Sequence, residues 1–306
     1  MAIPSLGNYT QYIGRGVVQG YTSIIPPFMV QSRQATGPGG TPITTAGLND
    51  NVRVGLATGT SASIDVTYTG GYGNQNNGNI PFKIATMNIW KAQPLFVTDT
   101  EALQIGEEGL VAEGQLLGLK LAADVLSASW APTISTANFP THAANSASAF
   151  TSSANAAFAD LQKKANDNNW PTERYLVANT TLWQNFMLNS GITAASNFGF
   201  NAQVAQTGQL NSVFGFKPYY TTLTLPNVDN GFACTRNAMV LTTLWAKPQD
   251  GSNRVVNDAF AIQDDVNGIT LGYYEYYEPN TRTLRKYFDA LAGVTTLDSN
   301  ALIHIK

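Results

Sequence analysis

Charge is what this 306-residue sequence has least of. Asp, Glu, Lys and Arg together make 12% of it, against about 25% in ordinary soluble domains. Asn, Thr, Ser and Gln carry the polar load instead. Such a surface is poorly suited to a monomer kept apart by charge. It suits a subunit covered by neighbours, because charged residues are depleted from interface cores. The net charge of −3 supplies no basic field to condense on nucleic acid, so any contact with DNA is expected to be weak and local. Cysteine is almost missing: Cys234 stands alone, which excludes an intrachain disulfide or a cysteine-rich zinc site. Its setting, "GFACTRNAMV", reads as an inert buried thiol in a reducing compartment. The first residues lack the charged and apolar regions of a signal peptide. No window reaches the ~18 apolar residues of a membrane span. The chain reads as made and folded in cytoplasm.

Catalytic signatures are equally scarce. The two histidines, His142 and His304, have no Cys/His/Glu spacing around them. In "ALIHIK", strand alternation turns His304 away from Ile303 and Ile305. "GPGGTP" at 37–42 has the glycines of a phosphate loop but no helix after it, so it reads as a turn. The nucleophile elbow is absent. Asp264 and Asp265 before Asn267-Gly268 read as turn acids. Asn8 and Asn179 lie in N-x-T contexts, which an Asn- and Thr-rich chain produces by chance. No catalytic, cofactor-binding or metal-ligating residue is expected, and an enzyme is the least supported class.

What is present changes character along the chain. Residues 1–48 are rich in Gly, Pro, Thr and Gln and show no sustained period; they read as an extended arm that borrows order from elsewhere, or as a flexible tail. Residues 49–90 alternate ("NVRVGLATG", "ASIDVTYTG", "IPFKIATMNIW") around the turn cluster "GGYGNQNNGN", which predicts a long exposed β-hairpin. A two-stranded ribbon is marginal alone, so it needs a partner surface. Over 99–129, Leu110, Leu117, Leu121 and Val125 fall at helical spacing, with Glu107, Glu108 and Glu113 early and Lys120 later, as the helix dipole favours. Gly106, Gly109, Gly114 and Gly118 weaken that helix by roughly 1 kcal/mol each. The Gly114/Gly118 pair leaves room for another backbone.

Residues 146–168 predict a helix with an apolar stripe of Ala147, Phe150, Ala154, Ala157, Phe158, Leu161 and Ala165. "RYLVAN" predicts a short buried strand. Asn179 or Thr180 then caps a helix bearing Leu182, Trp183, Phe186 and Met187, ended at Gly191. Residues 192–212 read as a polar loop. "VFGFKPYYTT" reads as a strand that Pro218 confines to an edge or bulge. "LPNVDNG" reads as a turn, "FACTRNAMVLTTLWAKP" as a strand running into a short helical piece, and the remainder from about Arg254 as strand. The early helix and the terminal strands flank the α/β block, which is expected to be inserted between them.

The last stretch, "GITLGYYEYYEPNTRTLRKYFDALAGVTTLDSNALIHI", packs five tyrosines into fifteen residues and then turns basic. Arg282 and Lys286 would share a strand face with Leu284, and Arg285 would oppose them. These cations fit a solvated edge that deters aggregation. They fit equally an inter-subunit pairing with carboxylates such as Glu275, Glu278, Glu107 and Glu113. A phosphate contact ranks third. Tyr and Arg are enriched at interface hot spots, which adds Tyr273 and Tyr277 to the contact candidates.

The order of these pieces resembles the major capsid proteins of tailed bacteriophages, the Hong Kong 97 type. "RYLVANTTLWQNF" at 174–186, "GQLNSVFGFKPYYTTLTLP" at 208–226 and "FACTRNAMVLTT" at 232–243 carry the likeness, at the level of pattern and over most of the chain. The resemblance implies an α+β capsid fold: an N-terminal arm at 1–45, an extended E-loop hairpin at 46–90, a peripheral domain with the spine helix at 91–130, an inserted axial domain at 131–249, and peripheral terminal strands at 250–306. It implies self-assembly through pentamers and hexamers into an icosahedral shell around double-stranded DNA in the host cytoplasm. It further implies a portal and a separate scaffolding protein, since the likeness starts almost at Met1, and allows for a decoration protein. No lysine lies in residues 49–80, so the lysine-mediated E-loop cross-link of some members is not expected. An encapsulin-type compartment shell resembles the same fold. A tail, decoration or adhesin protein would also account for the low charge, but less well for the inserted block.

Overall fold

In the computed structural model, residues 6–26, 28–29, 45–55, 82–96, 99–143, 145–193, 212–246, 256–264, 268–278 and 283–306 are described. The expected hairpin tip and most of the polar loop after residue 192 lie outside them.

The chain mixes helix and sheet, as expected. The first described residues form a helix, α1 (Leu6–Ile24), where an extended arm was expected. The expectation rested on the Gly, Pro, Thr and Gln content of residues 1–48 and on the lack of a sustained period over them. It missed Ile13, Val17 and Tyr21, four residues apart on one face and all fully buried. The glycines are there for contact. α1 runs alongside α2 (Asp99–Thr133). A Cβ at Gly16 or Gly20 would overlap the carbonyl oxygen of Val111 or Gln115, and one at Gly114 or Gly118 would overlap that of Ile13 or Val17. Two Gly-x-x-x-Gly faces thus bring parallel backbones together. The close approach expected at Gly114 and Gly118 is made by the chain's own first helix. α2 is interrupted at Gly106, whose φ of 74° and ψ of 176° turn the backbone out of the helix.

Both helices pack on a six-stranded sheet. Its path runs β1 (Thr45–Ala46), β8 (Met239–Ala246), β11 (Thr283–Thr296), β10 (Ile269–Glu278), β9 (Val256–Asp264), with β4 (Ile89–Leu95) also paired to β11. Phe288, Ala290 and Ala292 of β11 and Leu271 and Tyr273 of β10 point into the helix-side core, among Ile13, Val17, Leu121 and Val125. β2 (Asn51–Gly55) and β3 (Phe82–Thr86) form the antiparallel base of the expected hairpin. Val52 packs there with Met87, Leu244 and Leu291 on the other face of the sheet.

A four-stranded sheet, β12 (Leu302–Ile305), β7 (Gly231–Thr235), β5 (Arg174–Ala178), β6 (Phe216–Tyr220), holds the α/β block. β5 is buried on both faces, as its apolar run predicts. Tyr175 and Val177 enter the first core with Phe28 and Trp130. Leu176 and Ala178 enter a second core with Phe158, Leu161, Leu182 and Phe186. β6 pairs in parallel with β5 at the sheet edge, where Pro218 loses no needed bond. Asn179 caps α4 (Thr180–Leu188) by accepting the Leu182 N–H at 2.9 Å.

Several local expectations are corrected. The helix expected at 146–168 is a 3-10 turn, Ala147–Thr151, followed by α3, Ala156–Asp167. Asn155, at φ 55°, breaks the pattern between them, and Ala154 is exposed. Gly191 does not end α4; Asn189 does, and Gly191 lies in a short α5 (Ser190–Thr193). The helical piece expected after Cys234 is strand β8, because β-branched and aromatic residues in "MVLTTLWA" pair with β11. Sheet membership also crosses the boundary expected at 249/250: β8 joins the terminal strands, and β12 joins the block through β7.

Candidate inter-subunit surface

The tyrosine-rich ladder is built by β10 and β11, which pair antiparallel with Tyr274 opposite Tyr287, Glu275 opposite Lys286 and Tyr276 opposite Arg285. Strand alternation sorts the candidates onto two faces. On the helix face, Tyr273 is 1% exposed, with Phe260 at 4.7 Å and Phe288 at 5.3 Å between ring centroids. It is core, where its aromatic ring completes the chain's own apolar face. Its hydroxyl donates to Glu275 at 3.0 Å. The Glu275 carboxylate lies 3.8 Å from the Lys286 ammonium. That separation is too long for a good hydrogen bond, and burial holds the Lys286 pKa below the usual lysine value. Glu275 and Lys286 therefore face each other within one chain.

The outer face differs. Tyr276 and Tyr287 stack with centroids 5.4 Å apart and planes within 6°, their hydroxyls 3.0 Å apart. Arg285 is exposed beside them. The half-exposed Trp90 of β4 donates its indole N–H to Asp289 at 2.6 Å. Burial pushes the Asp289 pKa up to about 6, against the hydrogen bonds that favour its charged form. The side chains of Tyr277, Glu278 and Arg282 lie outside the described residues.

The acidic candidates are on α2. Glu107 is exposed and accepts the Tyr12 hydroxyl at 2.8 Å, which ties it to α1. Glu113 is half-buried. The structure does not bring Glu107 or Glu113 to the basic strand within the chain: β11 pairs with Glu275, and α2 with Tyr12.

α2 also carries a signal that the sequence reading missed. Besides its core face it presents Ile105, Ala112 and Leu116 to solvent, with Leu119 half-buried after them. Ile105 is 47% exposed and Leu116 63%. Apolar residues recur on more than one face of the helix, so periodicity alone does not divide a core side from an outer side. Phe96, just before it, is 82% exposed, and Ile84 on the hairpin base 52%. Among the described residues no group of three His, Cys, Asp or Glu could hold a metal ion, and no helix is long and apolar enough to cross a membrane.

No known family profile matches the chain, and no curated protein does. Among solved structures the chain is similar to one from Mycobacterium phage Che8, with 13% identity, 85% of each chain covered and a TM-score of 0.47. It is similar to one described as the capsid of Cyanophage P-SCSP1u, with 14% identity, 86% of this chain and 84% of that one covered, and a TM-score of 0.45. It is also similar to a virus-like particle from Pyrococcus furiosus, with 9% identity, 97% and 98% covered, and a TM-score of 0.47.

Proposed function

We propose that the chain is a structural shell subunit, the major capsid protein of a tailed bacteriophage, assembling through pentamers and hexamers into an icosahedral shell around double-stranded DNA. What supports this reading is the exposed apolar side chains of α2, Leu116 and Ala112 after Gly106 and Ile105 before it, together with the exposed Phe96. Large apolar side chains on a surface with little charge to keep copies apart favour burial against further copies. In the Hong Kong 97 scheme, 1–45 is the arm, with α1 as its folded part, 46–90 the E-loop, 91–130 and 250–306 the peripheral domain and 131–249 the axial domain. A portal, a separate scaffolding protein and packaged DNA are the partners this reading brings, in a virion assembled in the host cytoplasm.

Arg285, exposed on β11, is the described cation proposed to bridge to Glu107 or Glu113 of the next copy, and Arg282, outside the described residues, stays a candidate from the sequence. Such a bridge is heterologous, and repetition about an axis closes it into a ring. The test is electron microscopy and sedimentation of the overproduced chain, alone and with its neighbouring scaffold gene. Closed shells of uniform diameter are expected, and Leu116→Lys should give folded subunits without shells. Absence of shells even with the scaffold would overturn the proposal.

A further inference from the structure

The segment after α2 carries a feature that shell building does not call for. Its backbone runs beside β12. Ala143 N–H donates to the His304 carbonyl at 2.8 Å, His304 N–H to Thr141 at 3.0 Å, and Ala147 N–H to Lys306 at 2.5 Å. Residues 141–147 thereby cover the edge of the four-stranded sheet. Two imidazoles meet at this seam: His142 and His304 stack with centroids 5.0 Å apart and planes 29° apart. His304 is fully buried, with Nδ1 2.5 Å from the Oδ2 of Asp229, itself 5% exposed. Asp229 Oδ1, His304 Nε2 and His142 Nδ1 are buried without a hydrogen-bond partner among the described residues. Unpartnered buried polar atoms are costly, so three in one cluster point to a role beyond packing.

The charges around the seam come from every element packed on it. Asp229 comes from the turn before β7. Lys306 follows β12. Lys164 of α3 donates to the His142 carbonyl at 2.7 Å and pairs with Asp160 at 3.2 Å. Burial, then His304 and Lys306, hold the His142 pKa below the usual histidine value, while Asp229 pulls the other way.

We propose that His142, His304 and Asp229 form a pH-sensitive latch, which clamps residues 141–147 onto β12 at neutral pH and releases them on acidification. A proton on His142 places its charge in a buried seam against the stacked His304 ring and beside Lys306. A histidine with a lowered folded pKa adds stability above its unfolded value of about 6.5 and loses it as pH falls through that value. Release would leave β12, the last strand of the sheet, with an open edge.

Hydrogen exchange of the purified full chain tests this, read as protection factors at about pH 7.5 and about pH 5.5. Protection at Ala143, Ala147 and His304 should fall by up to about tenfold per pH unit where His142 takes a proton only on opening, while β5 and β11 keep theirs. His142→Phe keeps the stack without the charge and should abolish the pH dependence at this seam. His142→Gln serves the same purpose if the phenylalanine does not fit. Protection unchanged with pH, an equal loss in β5 and β11, or an unaltered response in both variants would overturn the latch.

Discussion

Two buried side chains test the residue-scale reading, because each has a definite sign. Asp289 is 2% exposed, and burial lifts its pKa to about 6 from an ordinary value of 3.8. Between these two values the folded chain binds the proton that the unfolded chain has released. Stability therefore falls as pH rises from about 4 to about 6, by about 3 kcal/mol at most. In Asp289→Asn this slope should vanish, since the amide oxygen still accepts from Trp90. Urea unfolding of both proteins at several pH values measures the difference, and a wild-type slope retained in the variant would refute the burial argument. Asn189 is fully buried and donates to Phe150, Ser152 and Asn155 while accepting from Gly191. Asn189→Ala strands those partners together and should cost about 2–4 kcal/mol, seen as a lower urea midpoint with the fold retained.

At the scale of elements the glycine faces of α1 and α2 give the sharpest contrast between sequence and structure. Propensity alone says that Gly118→Ala should stabilise a helix by about 1 kcal/mol. The structure says the reverse, because the added methyl would meet the backbone of Val17 and Tyr21. Overpacking of this kind typically costs about 1–3 kcal/mol, so the urea midpoint of Gly118→Ala should drop; a rise would refute the close contact. The same pair explains what was legible. The period of Leu110, Leu121 and Val125 showed α2, alternation showed β9 to β11, and the Asn179 cap showed α4. α1 was not legible, because its glycines look like breakers until the partner backbone is known. Tyr273 and Tyr276 could not be told apart in function either: they sit three residues apart in one aromatic run, and only the pairing places Tyr273 in the core and Tyr276 on the outer face.

For the whole molecule the question is what could hold copies together when charge is so sparse. The described surface offers apolar side chains on α2, stacked tyrosines on the outer sheet face and one exposed arginine among them. Assembly built on these surfaces should be driven by area removed from water, with Arg285 setting register rather than strength. Shell yield should then change little between low and high salt, whereas Arg285→Glu should give malformed shells from a normally folded subunit. Nothing in residues 49–80 can supply a lysine for a covalent bond between copies. Shells dissolved in hot detergent should accordingly run as a single monomer band on a denaturing gel. A ladder of covalent oligomers would place the cross-link chemistry elsewhere in the chain and would overturn the view that the proposed assembly is held without covalent bonds.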